Sequence, residues 1–486
     1  MARLHAMYRP AGVLAVLALV LAGCGGTSGA GTGAADIVPA SAPLFVAIDS
    51  DPGSSQWKTI MDLASKFPDK QKAVDTIKKE LQKDGGPDWE HDIKPALGTE
   101  VDVVMLDFEH PDQFVGLMQP KDEQAFERAV TKAKKSDPTD TAVYEKFHGW
   151  EVIADKQSTI DSFKQASDSA THTLSEDKAF KDAMSKAGDG VLRLYVNGSK
   201  VMSAARKYGG PDFEPYIDKL GTLDWLAMKV GAKPDGIAFD TIVHGTPGKA
   251  FKNVHIPASD GSLAKAVPQD ALLYFAFHGS KGMLSGLADN PVLQQPGLKD
   301  FSDILKELGS ILQGENALYV RAPGGRSLPE VTFVAAPGGG VDGAAALDRV
   351  LKRFRKEIGG SPRRTTIAGV PARILGEGDI AIRYANVDGK FVVTDFPSGI
   401  EFIKNGGKPL AESETYKGTV QSSGMPDRPL GVLYVDIHST IPAVEELSNT
   451  SIPSDVKRNL GPLRSAVEYA VSRSHELQIS FFLRIT

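Results

Sequence analysis

The sequence predicts an α+β protein built from two diverged copies of one domain, each an antiparallel sheet with helices, behind a cleavable N-terminal signal and a flexible tether. Three observations support this fold class. Short β-rich segments alternate with helical segments along the chain, and several neighbouring β segments lie too close together for a parallel return. A series of segments also recurs in the same order in the two halves.

The first 23 residues have the pattern of a signal peptide. Arg3 and Arg9 supply positive charge, and an apolar run extends from Ala11 to Leu21. This run has 11 residues, whereas a helix needs roughly 20 to cross the hydrocarbon core of a bilayer. We therefore predict a signal peptide over residues 1–23 that is removed from the mature protein.

The apolar run ends in Leu21, Ala22, Gly23 and Cys24, which resemble the lipobox of bacterial lipoproteins. The alternative is an ordinary secretory signal beside a chance cysteine, but Cys24 is the only cysteine among 486 residues. The resemblance implies a diacylglyceryl group on Cys24, which supplies the two acyl chains that stable membrane attachment requires. It also implies an extracytoplasmic location on the outer face of the cell membrane. A lone cysteine excludes an intramolecular disulfide.

Residues 24–36 form the predicted tether. From Gly25 to Ala35 the chain contains only glycine, alanine, serine and threonine, so it has no large apolar side chain to bury. A Gly-rich coil of this length reaches roughly 20 Å, enough to lift a folded body clear of the lipid head groups. A nucleotide-binding loop would need a preceding strand and a phosphate-binding lysine, and the sequence supplies neither.

The distribution of charge along the chain indicates which classes of partner the protein can bind. The chain has a net charge of −6, and removal of Arg3 and Arg9 with the signal leaves −8. Residues 24–250 hold 27 basic and 36 acidic residues, a net charge of −9, whereas residues 251–486 hold 26 and 25, a net charge of +1. An acidic or neutral body disfavours nucleic acid as a partner.

One basic cluster stands out in the second half. It consists of Lys352, Arg353, Arg355 and Lys356, on a predicted helix that begins near Asp342. Two interpretations remain open: a solvated helix face, or a patch that binds lipid phosphate or another anionic polymer.

The two halves of the mature chain resemble each other segment by segment. The matched pairs, in chain order, are Pro43–Ile48 with Ala271–Phe277, Ala96–Met105 with Leu312–Val320, Val115–Pro120 with Thr332–Pro337, Leu174–Phe180 with Leu410–Tyr416, Val191–Val196 with Gly431–Val435, and Gly236–Val243 with Glu476–Arg484. We therefore predict α+β repeats over residues 37–250 and 262–486, joined by a Gly- and Pro-containing linker. A repeat of this length indicates duplicated domains and not a solenoid.

The second half contains a clear hairpin signal. Asp388-Gly389 separates the β-rich segments Ile380–Val387 and Lys390–Thr394, and Asp-Gly is typical of two-residue hairpin turns. The first half has no evident copy of this signal, which predicts that the two repeats have diverged.

The opening segment Val38–Ile48, together with the lipobox, the tether and the two halves, resembles the actinobacterial DUF3352 proteins. The resemblance implies an exported, membrane-associated protein of unknown molecular role. It brings no catalytic residues to carry over.

The motifs in the sequence predict no catalytic residue, no metal site and no cofactor. His475-Glu476 lacks the second histidine of a zinc helix. Asp49–Gly53 has carboxylates but not calcium-loop spacing, which favours a turn and helix cap. The acidic segment Asp84–Asp92 contains residue types that bind divalent cations, but a polar helix-end loop is the simpler interpretation. The chain has no Gly-x-Ser-x-Gly motif and no P-loop.

Two classes of function remain. The first is a non-enzymatic envelope protein whose two lobes bind another envelope protein, a lipid or a wall component. The second is an extracytoplasmic hydrolase whose carboxylates converge only in the folded state. Burial distinguishes them, because an enclosed pocket with two or more ionisable groups favours an enzyme.

Overall fold

A computed structural model describes residues 33–110, 113–137, 139–210, 221–248, 256–282, 308–322, 324–325, 328–353, 355, 360–378 and 381–486. The signal peptide, the lipobox residues, Cys24 and Lys356 lie outside these residues. The chain divides into two compact units. Unit 1 comprises residues up to Thr246 together with residues 475–478, and unit 2 comprises residues 247–474 and 479–486. Both combine helices with antiparallel strands, so the predicted α+β class is confirmed.

Unit 1 begins with a 3-10 turn at Gly33–Asp36. Its strands are β1 (Leu44–Asp49), β2 (Glu100–Met105), β3 (Phe114–Met118), β4 (Val143–Phe147), β5 (Trp150–Ala154), β6 (Leu192–Asn197), β7 (Gly221–Lys233) and β8 (Gly236–Pro247). Its longer helices are α1 (Ser55–Ser65), α2 (Lys70–Gln82), α3 (Glu123–Ser136), α4 (Gln157–Asp168), α5 (Lys178–Ala187) and α6 (Gly198–Tyr208).

The sheet of unit 1 runs in the order β4-β5-β3-β2-β1-β6-β7, and each pair of neighbours in this order is antiparallel. One face carries the main core, where helices α4 and α5 pack against the strands. Phe180 of α5 meets Phe45 and Tyr195 edge-on, with ring centroids 5.3 and 5.1 Å apart. Such edge-to-face pairs add to the stabilisation from apolar burial.

The end of the predicted tether is part of the folded body. Gly33–Asp36 is a 3-10 turn, not a flexible segment, and both Ala34 and Ala35 are fully buried. Small side chains are what allow this, because the backbone can enter the core where a larger residue would not fit. The expectation that residues 24–36 are flexible throughout is therefore wrong for their last four residues.

Unit 2 begins with a 3-10 turn at Ser262–Ala266. Its strands are β9 (Ala271–Gly279), β10 (Gly314–Arg321), β11 (Glu330–Pro337), β12 (Arg363–Ile367), β13 (Val370–Leu375), β14 (Ile382–Val387), β15 (Lys390–Thr394), β16 (Gly431–Val435), β17 (Leu463–Arg473) and β18 (Glu476–Ile485), whose first three residues are assigned to unit 1. Its helices are α7 (Gly343–Arg353), α8 (Pro397–Asn405), α9 (Glu414–Ser423), α10 (Ile437–Ser448) and α11 (Ser454–Leu460).

The sheet of unit 2 runs in the order β12-β13-β14-β15-β11-β10-β9-β16-β17, again antiparallel. The order β3-β2-β1-β6-β7 of unit 1 therefore has the same connectivity as the order β11-β10-β9-β16-β17 of unit 2.

The hairpins show where sequence signals succeed and fail. Asp388 and Gly389 connect β14 and β15 with φ values of 46° and 77°, as the Asp-Gly pair predicts. Unit 1 has a corresponding hairpin between β4 and β5, turned by His148 and Gly149 at 48° and 85°. The first half therefore forms this hairpin although its sequence has no evident copy of the Asp-Gly signal. Non-glycine residues are uncommon at positive φ in general, and His-Gly is not one of the pairs that are typical of two-residue hairpin turns.

Candidate functional site

Three strands of unit 1 bring ionisable side chains to one buried face of the sheet. Asp49 ends β1, Glu100 and Asp102 lie on β2, and Arg193 lies on β6. In the strand register Asp49 is opposite Glu100, and Ala47 is opposite both Asp102 and Arg193. Since side chains alternate between the faces of a strand, the four ionisable groups project to the same side of the sheet. Their exposed fractions range from 0% for Asp102 to 7% for Arg193.

Burial controls the protonation of these carboxyl groups. Neither carboxylate oxygen of Asp102 has a hydrogen-bond partner, and burial beside Glu100 raises the pKa of Asp102 well above 3.8. Burial also raises the pKa of Glu100 to about 7, against the opposing effects of a backbone hydrogen bond and the charge of Arg193. The pKa of Asp49 is raised by burial as well. This face therefore holds protonated carboxyl groups at mildly acidic pH.

The segment that follows the tether covers Glu100. Gly33 N–H donates a hydrogen bond to Glu100 Oε1 at 2.9 Å, and the fully buried Ala34 and Ala35 continue over the core. A Cβ on Gly33 would lie 3.3 Å from Trp150, so the segment is closely packed. The result is that Glu100 is only 4% exposed.

An open groove of about 830 Å³ lies at the same end of the sheet. It is formed by the loop after β1, the loop before β2 and the loop after β3. Its polar lining includes both signs of charge, from Asp51, Glu90, Asp122, Lys94 and Lys121. A groove of this kind suits a ligand that itself carries polar or charged groups.

Close backbone packing fixes the loops around the groove. A Cβ at Gly98 would lie 2.1 Å from the carbonyl oxygen of Gln119, so only glycine fits there. Ser50 Oγ donates to the Gly98 carbonyl at 3.1 Å, and Ser50 N–H donates to the Thr99 carbonyl at 3.2 Å. The groove is therefore a largely preformed surface.

The segment Asp49–Gly53 is a turn that leads into a capped helix, as its sequence predicts. Asp49 Oδ1 accepts from Asp51 N–H and Asp51 Oδ1 accepts from Gly53 N–H, each at 3.0 Å. Ser54 then caps α1 through Trp57 N–H at 3.2 Å. Backbone donors therefore already engage these carboxylates.

The acidic segment 84–92 is compensated by lysines. Asp92 is buried and bonds Lys132 at 2.5 Å, while Glu90 contacts Lys78 at 2.8 Å and Lys94 at 3.2 Å. These lysines lower the pKa values of Glu90 and Asp92. The segment is a polar helix-end loop with its own counter-ions.

The predicted basic patch falls at the end of α7. Lys352 and Arg353 occupy its last turn, and Arg355 follows as an exposed residue. Cations at this position interact favourably with the helix dipole, which is consistent with a solvated helix end. Whether the patch also binds anions stays a prediction.

A group of side chains that could bind a metal ion lies in unit 1. Asp182, His244 and Glu476 each present a ligand atom, and these atoms lie within 4.8 Å of one another. Lys186 is 3.5 Å from Asp182 and is ion-paired with Glu476. His244 Nδ1 lies 2.9 Å from Asp224 Oδ2. Sequence analysis missed this group because its members lie far apart in the chain and form no local spacing pattern.

Comparison with known proteins tests the resemblance noted in the sequence. Residues 10–162 match the model of DUF3352, a family of proteins of unknown function. The match supports the predicted resemblance over this part of the chain, which includes Glu100 and Asp102 but not His244 or Glu476. No curated protein matches the chain.

Two solved structures show a distant similarity, crystal forms IV and III of TP0453. Each has 10% sequence identity to this chain, with TM-scores of 0.23 and 0.22. The alignments cover 45% and 43% of this chain and 81% and 78% of the other. Scores this low carry no argument about fold or function. Among the described residues, no helix is both long and apolar enough to cross a bilayer.

Proposed function

We propose that this protein is an exported, lipid-anchored envelope protein that binds another envelope protein, a lipid or a wall component without catalysis. Cleavage after Leu21-Ala22-Gly23 and lipidation of Cys24 would hold it on the outer face of the cell membrane. The signal-like first residues and the single cysteine support this location. Gly33, where the described fold begins, is nine residues beyond Cys24, so the extended tether reaches at most about 32 Å.

We further propose that the two units are diverged copies of one domain. The shared strand order supports this, and so do matching contacts beside the Val-Pro segments. Leu174 N–H donates to the Val38 carbonyl at 2.8 Å in unit 1, and Leu410 N–H donates to the Val267 carbonyl at 2.7 Å in unit 2. Divergence of the copies is what allows one lobe to acquire a binding surface that the other lacks.

The observation that carries the binding proposal is the separation of the groove from the perturbed carboxyl groups. The groove presents charged side chains in an open surface, whereas Asp102 is 0% and Glu100 only 4% exposed. A catalytic acid or base must come within hydrogen-bond reach of its substrate. Because these two groups are sealed, the groove is better suited to recognition than to catalysis.

The alternative is an extracytoplasmic hydrolase that uses Glu100 and Asp102 as an acid and base. Their raised pKa values favour it, since neighbouring carboxyl groups with perturbed pKa values are typical of acid–base sites. This mechanism requires the segment from Gly33 to Val38 to leave the core and admit a substrate. The alternative therefore predicts hydrolytic activity that is lost in Glu100→Gln, whereas the binding proposal predicts that the wild type has no hydrolytic activity.

Native mass spectrometry of the lipidated protein, extracted from its own membrane, tests the proposal. We expect a bound lipid, wall fragment or protein partner to leave with the wild type. Charge reversal in the groove, Lys94→Glu with Lys121→Glu, should abolish this co-purification. The matched control reverses Lys72 and Lys79, which are exposed on α2 outside the groove.

The outcomes separate the two functions. Retention of the partner by the groove variant would reject the groove as the binding surface. An empty wild-type protein that hydrolyses wall or lipid substrates, with activity lost in Glu100→Gln, would favour the hydrolase.

A further inference from the structure

Three side chains from distant parts of the sequence form a compact donor set in unit 1. Asp182 lies on α5, His244 on β8, and Glu476 is the first residue of β18. Their ligand atoms lie within 4.8 Å of one another. One imidazole and two carboxylates are a donor combination that first-row divalent metals accept, because imidazole suits zinc and iron while carboxylates suit zinc and manganese.

The charge around this set is unbalanced. Asp182 and Glu476 share a single ammonium group, that of Lys186. The third carboxylate, Asp224, contacts only His244 among the described ion pairs. Three carboxylates therefore meet one lysine, and a divalent cation would neutralise the excess. The side chains of Glu476 and His244 are 15% and 26% exposed, whereas those of Asp182 and Asp224 are 40% and 48% exposed, so water screens part of the excess charge.

Groups outside the donor set hold the imidazole in place. Asp224 Oδ2 accepts from His244 Nδ1 at 2.9 Å, which leaves the lone pair of Nε2 available for a ligand. The indole of Trp225, itself 2% exposed, stacks on the His244 ring with centroids 5.1 Å apart and planes 13° apart. Metal-binding histidines commonly have a carboxylate on the other ring nitrogen, which fixes the tautomer and the ring orientation.

We propose that Asp182, His244 and Glu476 form a binding site for one divalent transition-metal ion, and that Lys186 occupies the cation position until the metal displaces it. Lys186 Nζ also lies 5.7 Å from the centre of the Trp225 ring. The ammonium therefore keeps a cation–π partner when the carboxylates turn to the metal. Three protein ligands leave coordination positions open for water or for a donor atom from another molecule.

Isothermal titration of the tag-free full chain with Zn²⁺ tests this proposal. We expect one ion per chain, and a loss of affinity of more than about 100-fold in His244→Ala, because outer partners alone contribute about 10–100-fold. Lys186→Met should bind Zn²⁺ more tightly than the wild type, because its competing charge is gone. A purely structural salt bridge predicts no such gain.

The control is His110→Ala, because His110 is an exposed histidine 3.3 Å from Asp107 in the same unit. It should leave Zn²⁺ binding unchanged. Glu476→Gln provides a second, nearly isosteric ligand variant, and circular dichroism verifies that each variant is folded. The proposal is overturned if the wild type binds no stoichiometric Zn²⁺, if both folded ligand variants bind like the wild type, or if Lys186→Met weakens binding.

Discussion

Asp49 and Glu100 face each other across β1 and β2 on the buried side of the unit 1 sheet. In unit 2 the strand pair β9 and β10 places His278 opposite Glu315, with Nδ1 and Oε1 2.7 Å apart. An imidazole nitrogen can donate a hydrogen bond to a buried carboxylate, but an ionised carboxylate has no proton to donate. Unit 1 therefore places two carboxyl groups where unit 2 pairs a carboxyl group with an imidazole, and burial raises the pKa of Glu100 against the charge of Arg193.

We predict that unit 1 loses stability as the pH rises from about 4.5 to about 7. Its folded state raises the pKa of Glu100 from 4.5 to about 7, so in this range the folded chain binds a proton that the unfolded chain has released. Over this pH range the free energy of unfolding can decrease by on the order of 3 kcal/mol. Glu100→Gln should flatten this part of the profile. Hydrogen exchange of the β1 and β2 amides at a series of pH values measures the stability of unit 1.

The control for the pH profile is Glu127→Gln, because Glu127 is an exposed carboxyl on α3. It should keep the wild-type slope between pH 4.5 and 7. A Glu100→Gln profile as steep as that of the wild type would show that Glu100 does not cause the pH dependence.

We predict that Asp102→Val stabilises unit 1 at neutral pH. The carboxyl of Asp102 is 0% exposed and neither oxygen has a hydrogen-bond partner. An unpartnered buried polar group costs about 1–3 kcal/mol, and valine both removes this cost and suits a strand. Thermal melting should show a higher transition temperature for unit 1. A lower temperature would mean that the carboxyl stabilises the fold, for instance through the charge of Arg193.

We predict that Gly98→Ala destabilises unit 1 and opens the groove. The added Cβ would lie 2.1 Å from the backbone oxygen of Gln119, so the loops before β2 and after β3 must separate. Forced overpacking of this kind costs about 1–3 kcal/mol. Urea denaturation measures the loss. Gly338→Ala is the control, because a Cβ there has no atom within 4 Å, and equal stabilities for the two variants would contradict the prediction.

Local signals in the sequence account for much of the fold but for little of the site. The Asp388-Gly389 pair gave a hairpin because its residues favour the required positive φ. His148-Gly149 forms the corresponding turn without that signal, and Ala34-Ala35 enters the core although its composition resembles a tether. The burial of Ala34 and Ala35 depends on tertiary packing, which overrides local preference.

Long-range contacts explain why the candidate sites were not predicted. Asp49 and Glu100 become neighbours only through strand register, and Gly33, which donates a hydrogen bond to the Glu100 carboxylate, is far from Glu100 in the chain. A carboxylate in a short β-rich segment is the one available signal, since acidic residues are depleted in strands. That signal includes Asp102, but it applies equally to Glu151 on β5 and Asp240 on β8, and it does not identify the partners of Asp102.

We predict that Lys352→Glu, Arg353→Glu and Arg355→Glu together reduce association of unlipidated protein with phosphatidylglycerol vesicles. Each basic residue near an anionic surface contributes about 1 kcal/mol, so the loss should exceed tenfold in the partition coefficient. Vesicle sedimentation measures it. Reversal of Lys70, Lys72 and Lys79 on α2 changes the net charge equally and should have a smaller effect. If the two triple variants reduce vesicle association equally, or if neither reduces it, the cluster at the end of α7 is a solvated helix end.

We predict that Cys24→Ser releases the protein from the membrane. The apolar run Ala11–Leu21 is too short to span the bilayer, so the acyl chains on Cys24 would supply the stable anchor. Wild-type protein should fractionate with membranes and yield an N-terminal peptide that begins at a diacylglyceryl cysteine in mass spectrometry. Gly25→Ser keeps the cysteine and should behave like the wild type. A Cys24→Ser protein that stays in the membrane fraction, or a wild-type N-terminus without lipid, would reject lipid anchoring and with it the envelope-surface location on which the binding proposal rests.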